Sequence, residues 1–434
     1  MSETAGPARR RRGLWQLGGV TVFALLVAMI PSGSHADFEV PFTVSAGAAS
    51  PASGVVGSAA DGRSVFVWSR SSGDGTTATL QARGRTAAGV LGPAKAIATI
   101  PSSSSARTAV AADGSAFVVW VDADGRVRGR ERAADGALGP VRAVSASRQA
   151  RPASLALAVD GDGDVLVAWC SAALGELYAR PIGRDSGALG PLRRLSAEGI
   201  GVLAPAVATR ADGAAVVAWS DDDQIVRARR LSPGGVWRQA VRMSPASHEA
   251  SQPRVGLDAD GDAVVLWQRL VGPQVYDLAV RTLEVDGDRS AVSTAATGLG
   301  VFSGYTLDVR NDGQALATWR ATDEGGHVYG RTVSPGGAVS ELIDLSGVTS
   351  TNEHVVAMNP AGRAVVAWTE STGTGSRIVA RTRTATGALS PVDVLSVGSA
   401  NVSVSVDVAA TGDAVASWTR YETGNYRISA AVDP

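Results

Sequence analysis

With one cysteine, Cys170, the 434-residue chain can build no internal disulfide framework. Cys170 follows Trp169 at the end of an apolar run, so it reads as a small buried hydrophobe. None of the four histidines (His35, His248, His327, His354) stands at a spacing that would make it the base for a nucleophilic thiol. Lysine is nearly missing as well, Lys95 being the only one, and arginine carries almost all of the positive charge. The 40 basic residues are matched by 41 acidic ones, so no field of one sign exists to draw in a polyanion, which argues against nucleic acid as a partner. Aromatics are scarce, at 5%, yet eight of the ten tryptophans fall on a regular beat.

That beat is clearest at 211–219, ADGAAVVAW. A glycine stands six residues before a tryptophan at Gly62/Trp68, Gly114/Trp120, Gly163/Trp169, Gly213/Trp219, Gly261/Trp267, Gly313/Trp319, Gly362/Trp368 and Gly412/Trp418. A period near fifty residues signals a propeller or solenoid and is read before any local motif. In the third unit, 152–159 reads as a short strand of small residues, 160–163 as a turn, and 164–169 (DVLVAW) as a strand apolar on both faces, which requires burial on both sides. Residues 176–182 give a third strand and 190–196 a fourth. Turn glycines between these last two recur at Gly89, Gly136, Gly187, Gly235, Gly287, Gly337 and Gly387. Four antiparallel strands per unit make a propeller blade.

The two ends complement each other. The segment 37–45 (DFEVPFTVS) reads as a fourth strand without a blade, and the chain finishes at 426–432 (YRISAAV) on a third strand without a fourth. The expected fold is therefore an all-β, eight-bladed propeller over 37–434, its ring closed by the N-terminal strand. Residues 1–36 stand apart: Arg9–Arg12 form a basic region, 14–30 an apolar stretch, and Ser34-His35-Ala36 a small-x-small cleavage site. They read as a signal peptide of the general secretory or twin-arginine route, or alternatively as an N-terminal membrane anchor. The expected location is secreted or cell-envelope, with membrane contact only through an uncleaved leader.

An arginine recurs six or seven residues before the turn glycine, at Arg83, Arg130, Arg180, Arg229, Arg281, Arg331 and Arg381, with Ala431 in the eighth place. The expectation is structural pairing with turn acids such as Asp61, Asp113, Asp212 and Asp312. Asp160, Asp162 and Asp164, and likewise Asp258, Asp260 and Asp262, space carboxylates two apart as calcium loops do, but the ninth position is Ala168 or Leu266, so hairpin-turn chemistry is the stronger reading and calcium the weaker one. No other cofactor is expected. The tryptophans read as packing between blades; Trp237 is off the beat and better placed for a surface role.

Loop length varies after the tryptophan and hardly at all at the turn glycines, so the variable loops crowd one face. On it lie Arg70, Asp122, Asp124, Asp221, Asp222, Asp223, Arg269, Arg320, Asp323, Glu324, Glu370, Arg420, Tyr421 and Glu422, a mixed-charge surface suited to a polar ligand. The repeat resembles that of secreted bacterial β-propellers built on Ala-x-Asp-Gly-x-x-x-x-x-Trp, over about 37–434, with Pro360-Ala361-Gly362 and Ala410-Thr411-Gly412 departing from it. That resemblance implies architecture and no common activity. The expected function is a non-catalytic, monomeric scaffold presenting the polar loop face to a cell-envelope glycan or an extracellular protein. The alternative is a polysaccharide hydrolase or lyase with paired carboxylates from Asp221–Asp223, Asp323, Glu324 and Glu370.

Overall fold

The computed structural model describes residues 38–434 apart from 46–50, 105, 146–153, 172–174, 185–186, 198–200, 301–303, 322–325, 348–350, 399–400 and 423. The leader, 1–36, lies outside the described residues, as do Asp323 and Glu324. The described residues form eight four-stranded antiparallel sheets in which chain neighbours pair in order. Numbered along the chain, the blades span 51–101, 106–143, 155–194, 202–242, 250–300, 305–344, 351–398 and 401–433. First strands of successive blades touch in an unbroken circuit that runs from blade 8 back to blade 1, so they surround a common axis. The protein is an eight-bladed β-propeller.

Sequence pattern explains each strand's place. The second strands are buried at every residue as far as the tryptophan, and Val165–Cys170 and Ala116–Val121 throughout, as a strand covered on both faces must be. The glycine that precedes each of them has a positive φ, from 79° at Gly313 to 108° at Gly412, a conformation that a Cβ would strain. Small residues line the axis where strands crowd: a Cβ on Gly57 would meet the Val110 side chain of the next blade at 2.4 Å.

The eight tryptophans are 0–3% exposed, and each packs against the preceding blade. Trp169 sits with Phe117, Val127 and Val144, and Trp219 with Leu166, Leu177 and Leu195. Trp68 completes the circuit by packing on Val415, Ile428 and Val432 of blade 8. The core is thus a set of interblade seams rather than one central cluster. Cys170 lies fully buried in one of them.

Closure is by the N-terminal strand, shorter than expected: Phe42–Thr43 pairs antiparallel with the last strand, Asn425–Asp433, Phe42 facing Ala430. Flanking bonds extend the join. The Glu39 amide donates to the Val432 carbonyl (2.7 Å) and the Val44 amide to that of Ile428 (2.8 Å). The Ser45 hydroxyl accepts the Ile428 amide at 2.9 Å, across 383 positions of sequence. Ser145, Ser196, Ser244 and Ser346 make the same bond at the ends of other fourth strands, 2.9–3.0 Å. The N-terminal segment therefore has the chemistry of any other fourth strand. The fourth strands of blades 2, 3, 4 and 6 are as short, Arg193–Arg194 in blade 3 against the expected 190–196, whereas those of blades 1, 5 and 7 run six to eight residues.

The recurrent arginines correct the expected pairing. They bind backbone carbonyls rather than turn acids. Arg83, Arg130, Arg180, Arg229, Arg281 and Arg381 donate Nε to a carbonyl at the entry to their own fourth strand (2.5–2.8 Å). From Nη1 each reaches a carbonyl of the preceding blade's fourth strand, at Val44, Ile97, Val144, Leu195, Met243 and Leu345 (2.7–3.2 Å). Arg331 reaches the Ser340 carbonyl at the entry to its own fourth strand from Nη1 instead (2.8 Å). The planar guanidinium has donors on two edges, so one side chain clamps two sheet edges that would otherwise present open carbonyls. The turn acids pair with other arginines: Asp61 with Arg63, Asp113 with Arg184, Asp212 with Arg210, and Asp312 with Arg310.

Candidate functional site

Register separates the two faces of the ring. Each first strand begins opposite the tryptophan or within two residues after it, as Leu155 lies opposite Trp169 and Val202 opposite Asp221, so the loops after the tryptophans and those entering each blade share one face. The glycine turns share the other.

On the tryptophan face most of the expected site residues are tied to their own blades. Asp122 pairs with Arg128 (2.7 Å), Asp221 with Arg227 (2.6 Å), Glu370 with Arg377 (2.8 Å), Arg269 with Asp277 (2.7 Å), and Arg420 with Glu422 (3.0 Å). Burial pushes the Asp122 carboxyl up, but the Arg128 guanidinium and the amides of Arg126 and Asp124 outweigh it and hold the group below the usual range. The Asp124 amide donates to Asp122, and Asp222 accepts the Gly201 amide at 2.8 Å. Arg320 donates to the Asn352 carbonyl (2.9 Å), and Asp223 is exposed. Asp221–Asp223 belong to blade 4 and Glu370 to blade 7, three blades apart around the ring. Tyr421 packs edge-on to Tyr426, with centroids 5.0 Å apart, and is 40% exposed.

The two acidic turns act as turns. Asp160 accepts the amides of Asp162 and Asp164 (3.0 and 2.9 Å), and Asp258 those of Asp260 and Asp262 (3.0 and 2.8 Å). Asp164 and Asp262 each accept an amide of the neighbouring turn, from Arg184 (2.8 Å) and Val285 (2.7 Å). Burial raises the pKa of Asp160 and Asp258 against those amide bonds. Trp237 is half-buried and lines a groove on the glycine-turn face with Pro181, Pro233 and Asp160.

Sequence reasoning missed an aromatic pairing on two of the third strands. Opposite its tryptophan, the third strand carries a tyrosine in two blades, Tyr178 facing Trp169 and Tyr329 facing Trp319. Tyr178 stacks on Trp169 (6.0 Å, 22°); Tyr329 lies on His327 (5.5 Å, 11°) and leans on Trp319 (6.5 Å). Both tyrosines are half-buried. Each has a polar pair beside it, with one member, Arg194 or Asp344, at the matching fourth-strand position. In blade 3, buried Glu176 accepts the Tyr178 hydroxyl and binds Arg194 (2.8 Å); in blade 6, Asp344 meets His327 (3.2 Å). Between blades 5 and 6 a groove runs along Thr297, Leu299, Trp319, Tyr329 and Arg331. Comparing the eight units at the position opposite the tryptophan would have exposed these two aromatics.

No protein-family model and no curated protein sequence matches the chain. Among solved structures it is similar to the BP39L lectin from Burkholderia pseudomallei: 14% identity, TM-score 0.58, covering 81% of this chain and 100% of that one. A protein of unknown function from Dyadobacter fermentans is 12% identical with TM-score 0.44, covering 91% and 98%. The α-L-arabinofuranosidase Arb93A from Fusarium graminearum is 14% identical with TM-score 0.40, covering 64% and 92%. At these identities the likeness is one of fold.

Proposed function

We propose that this is an exported, non-catalytic propeller that binds glycans on its tryptophan-end face, with Tyr178 and Tyr329 as sugar platforms. The observation that carries this reading is the repeated arrangement in blades 3 and 6. A tyrosine ring is braced by a buried tryptophan and flanked by a hydrogen-bonded polar pair. A sugar offers an apolar C–H face and hydroxyls in its plane; a rigid aromatic takes the first, and carboxylate, imidazole and guanidinium groups take the second. The lectin of shared fold supports the reading as far as the scaffold goes. Export rests on the leader at 1–36, and periplasmic or medium fractionation of the expressed chain tests it.

Hydrolysis draws less support. Among the described carboxylates named for it, Asp221–Asp223 lie three blades from Glu370, and Asp221 and Glu370 each hold an arginine. In a glycan-binding assay, Tyr178→Ala with Tyr329→Ala should lower retention about tenfold or more, the scale on which stacking contacts act. Unchanged retention in the double variant would remove these platforms from the account.

A further inference from the structure

The first strands around the axis carry charge that the loop face leaves unexplained. Thirteen residues before each tryptophan, six blades place an uncharged residue on the first strand, whereas blades 2 and 5 place Arg107 and Arg254. Arg107 lies opposite Val119, just before Trp120, and Arg254 opposite Leu266, just before Trp267, so both stand at one level near the tryptophan end. Three steps round a ring of eight set them on facing walls.

Neither guanidinium has an acid to neutralise it among the described residues. Arg107 donates one bond, from Nη1 to its neighbour's carbonyl at Ala106 (3.0 Å). Arg254 donates from Nη1 to the Pro253 carbonyl (3.2 Å), and its guanidinium lies 5.0 Å over the ring of Tyr305, whose hydroxyl is anchored on the Gln252 carbonyl. Burial, and after it the charge of Arg254, lower Arg107 from the ordinary arginine value, and no carboxylate acts on it in the opposite sense. The carboxylates further along the first strands are engaged elsewhere: Asp308 accepts the Met358 amide (2.8 Å) and Asp407 the Ser58 amide (2.5 Å), each across a blade seam. At the tryptophan end, Glu353 accepts the Ser403 amide (3.2 Å). Two guanidiniums at one level of the ring of first strands, one of them braced on an aromatic ring and neither paired with an acid among the described residues, leave donors that an oxoanion held between them would fill.

We propose that Arg107 and Arg254 form an anion-binding site at the tryptophan end of the first strands, and that its ligand is the carboxylate or sulfate group of an acidic saccharide. The saccharide rests on the glycan-binding reading; the anion site does not. Calorimetric titration of the full chain at low ionic strength, with sodium sulfate, glucuronate and glucose, tests both. Sulfate and glucuronate are expected to bind. Arg107→Gln should weaken both about tenfold or more, and Arg107→Lys less, since lysine keeps the charge but loses the fork. Arg254→Gln should act in the same direction; should that variant melt early through loss of its contact with Tyr305, the open Arg107 still decides the matter. Absence of sulfate and glucuronate binding, or unchanged affinity in Arg107→Gln, overturns the site. Arg107-dependent sulfate binding in a protein that retains no glycan would uphold the anion site while removing its saccharide and the glycan-binding function with it. Neutral-glycan binding at Tyr178 and Tyr329 with no anion binding would overturn this site alone.

Discussion

His354 is a polar side chain set into a seam that elsewhere is mostly hydrocarbon. It stands opposite Trp368, its Nε2 is 3.2 Å from the Thr318 hydroxyl, and that hydroxyl meets Thr306 at 2.7 Å. Burial pushes its pKa down to about 4 from 6.5, so the folded protein keeps it neutral where an unfolded chain would take up a proton. Its contribution is therefore complete above about pH 6.5 and is lost as pH falls toward 4. Asp308 slopes the other way. Burial first, with Asp407 adding to it against two amide bonds, lifts its pKa to about 7 from 3.8. The folded state holds a proton that the unfolded chain releases, so stability from this group declines as pH rises from about 4 to about 7. Melting curves across that window should separate the two: His354→Gln flattens the acid limb, and Asp308→Asn the approach to neutrality. Curves parallel to wild type would refute the assignments. A seam tryptophan acts on a larger scale, and Trp219→Ala should cost about 3–5 kcal/mol in chemical denaturation.

Among the elements, the N-terminal strand and the arginine clamps hold blade to blade. Deleting 38–45 removes the Phe42–Ala430 pairing, the bonds to Ile428 and the carbonyl that Arg83 grips. It also strips Val44 from the seam beneath Trp68. A truncated chain should melt lower and less cooperatively; an unchanged transition would contradict closure by this strand. Arg180→Met removes one clamp, from Gly190 to Val144, and should cost about 1–3 kcal/mol by denaturant titration, the range for hydrogen bonds from a charged donor. The strand count at the two ends made the closure legible in sequence, because an unpaired fourth strand and an unfinished blade are local patterns. The clamps were not legible in that way. Arg83 and its equivalents recur visibly, but their partners are backbone carbonyls, which every residue has, so spacing alone favoured the acids. The same limit applies to Asp308 and Asp407, whose seam-spanning bonds depend on how two first strands approach the axis.

At the scale of the whole molecule, repetition builds the scaffold and departures from repetition build its surface. The glycine-to-tryptophan beat specifies eight blades because each copy solves the same problem: a turn with positive φ, a doubly buried strand, and a ring for the seam behind it. The candidate site is written in exceptions: tyrosines opposite the tryptophan in blades 3 and 6, and arginines on the first strands of blades 2 and 5. Loop composition drew attention to Asp122, Asp221 and Glu370, whose charges are spent on arginines of their own blades. The account's central claim is that the braced tyrosines of this face hold sugar. A glycan array probed with the chain lacking residues 1–36, beside its Tyr178→Ala/Tyr329→Ala variant of equal melting temperature, tests it directly. The account predicts retention of intact glycans by the first and loss of that retention in the second. Equal retention by both, no retention by either, or release of cleaved saccharide would contradict it.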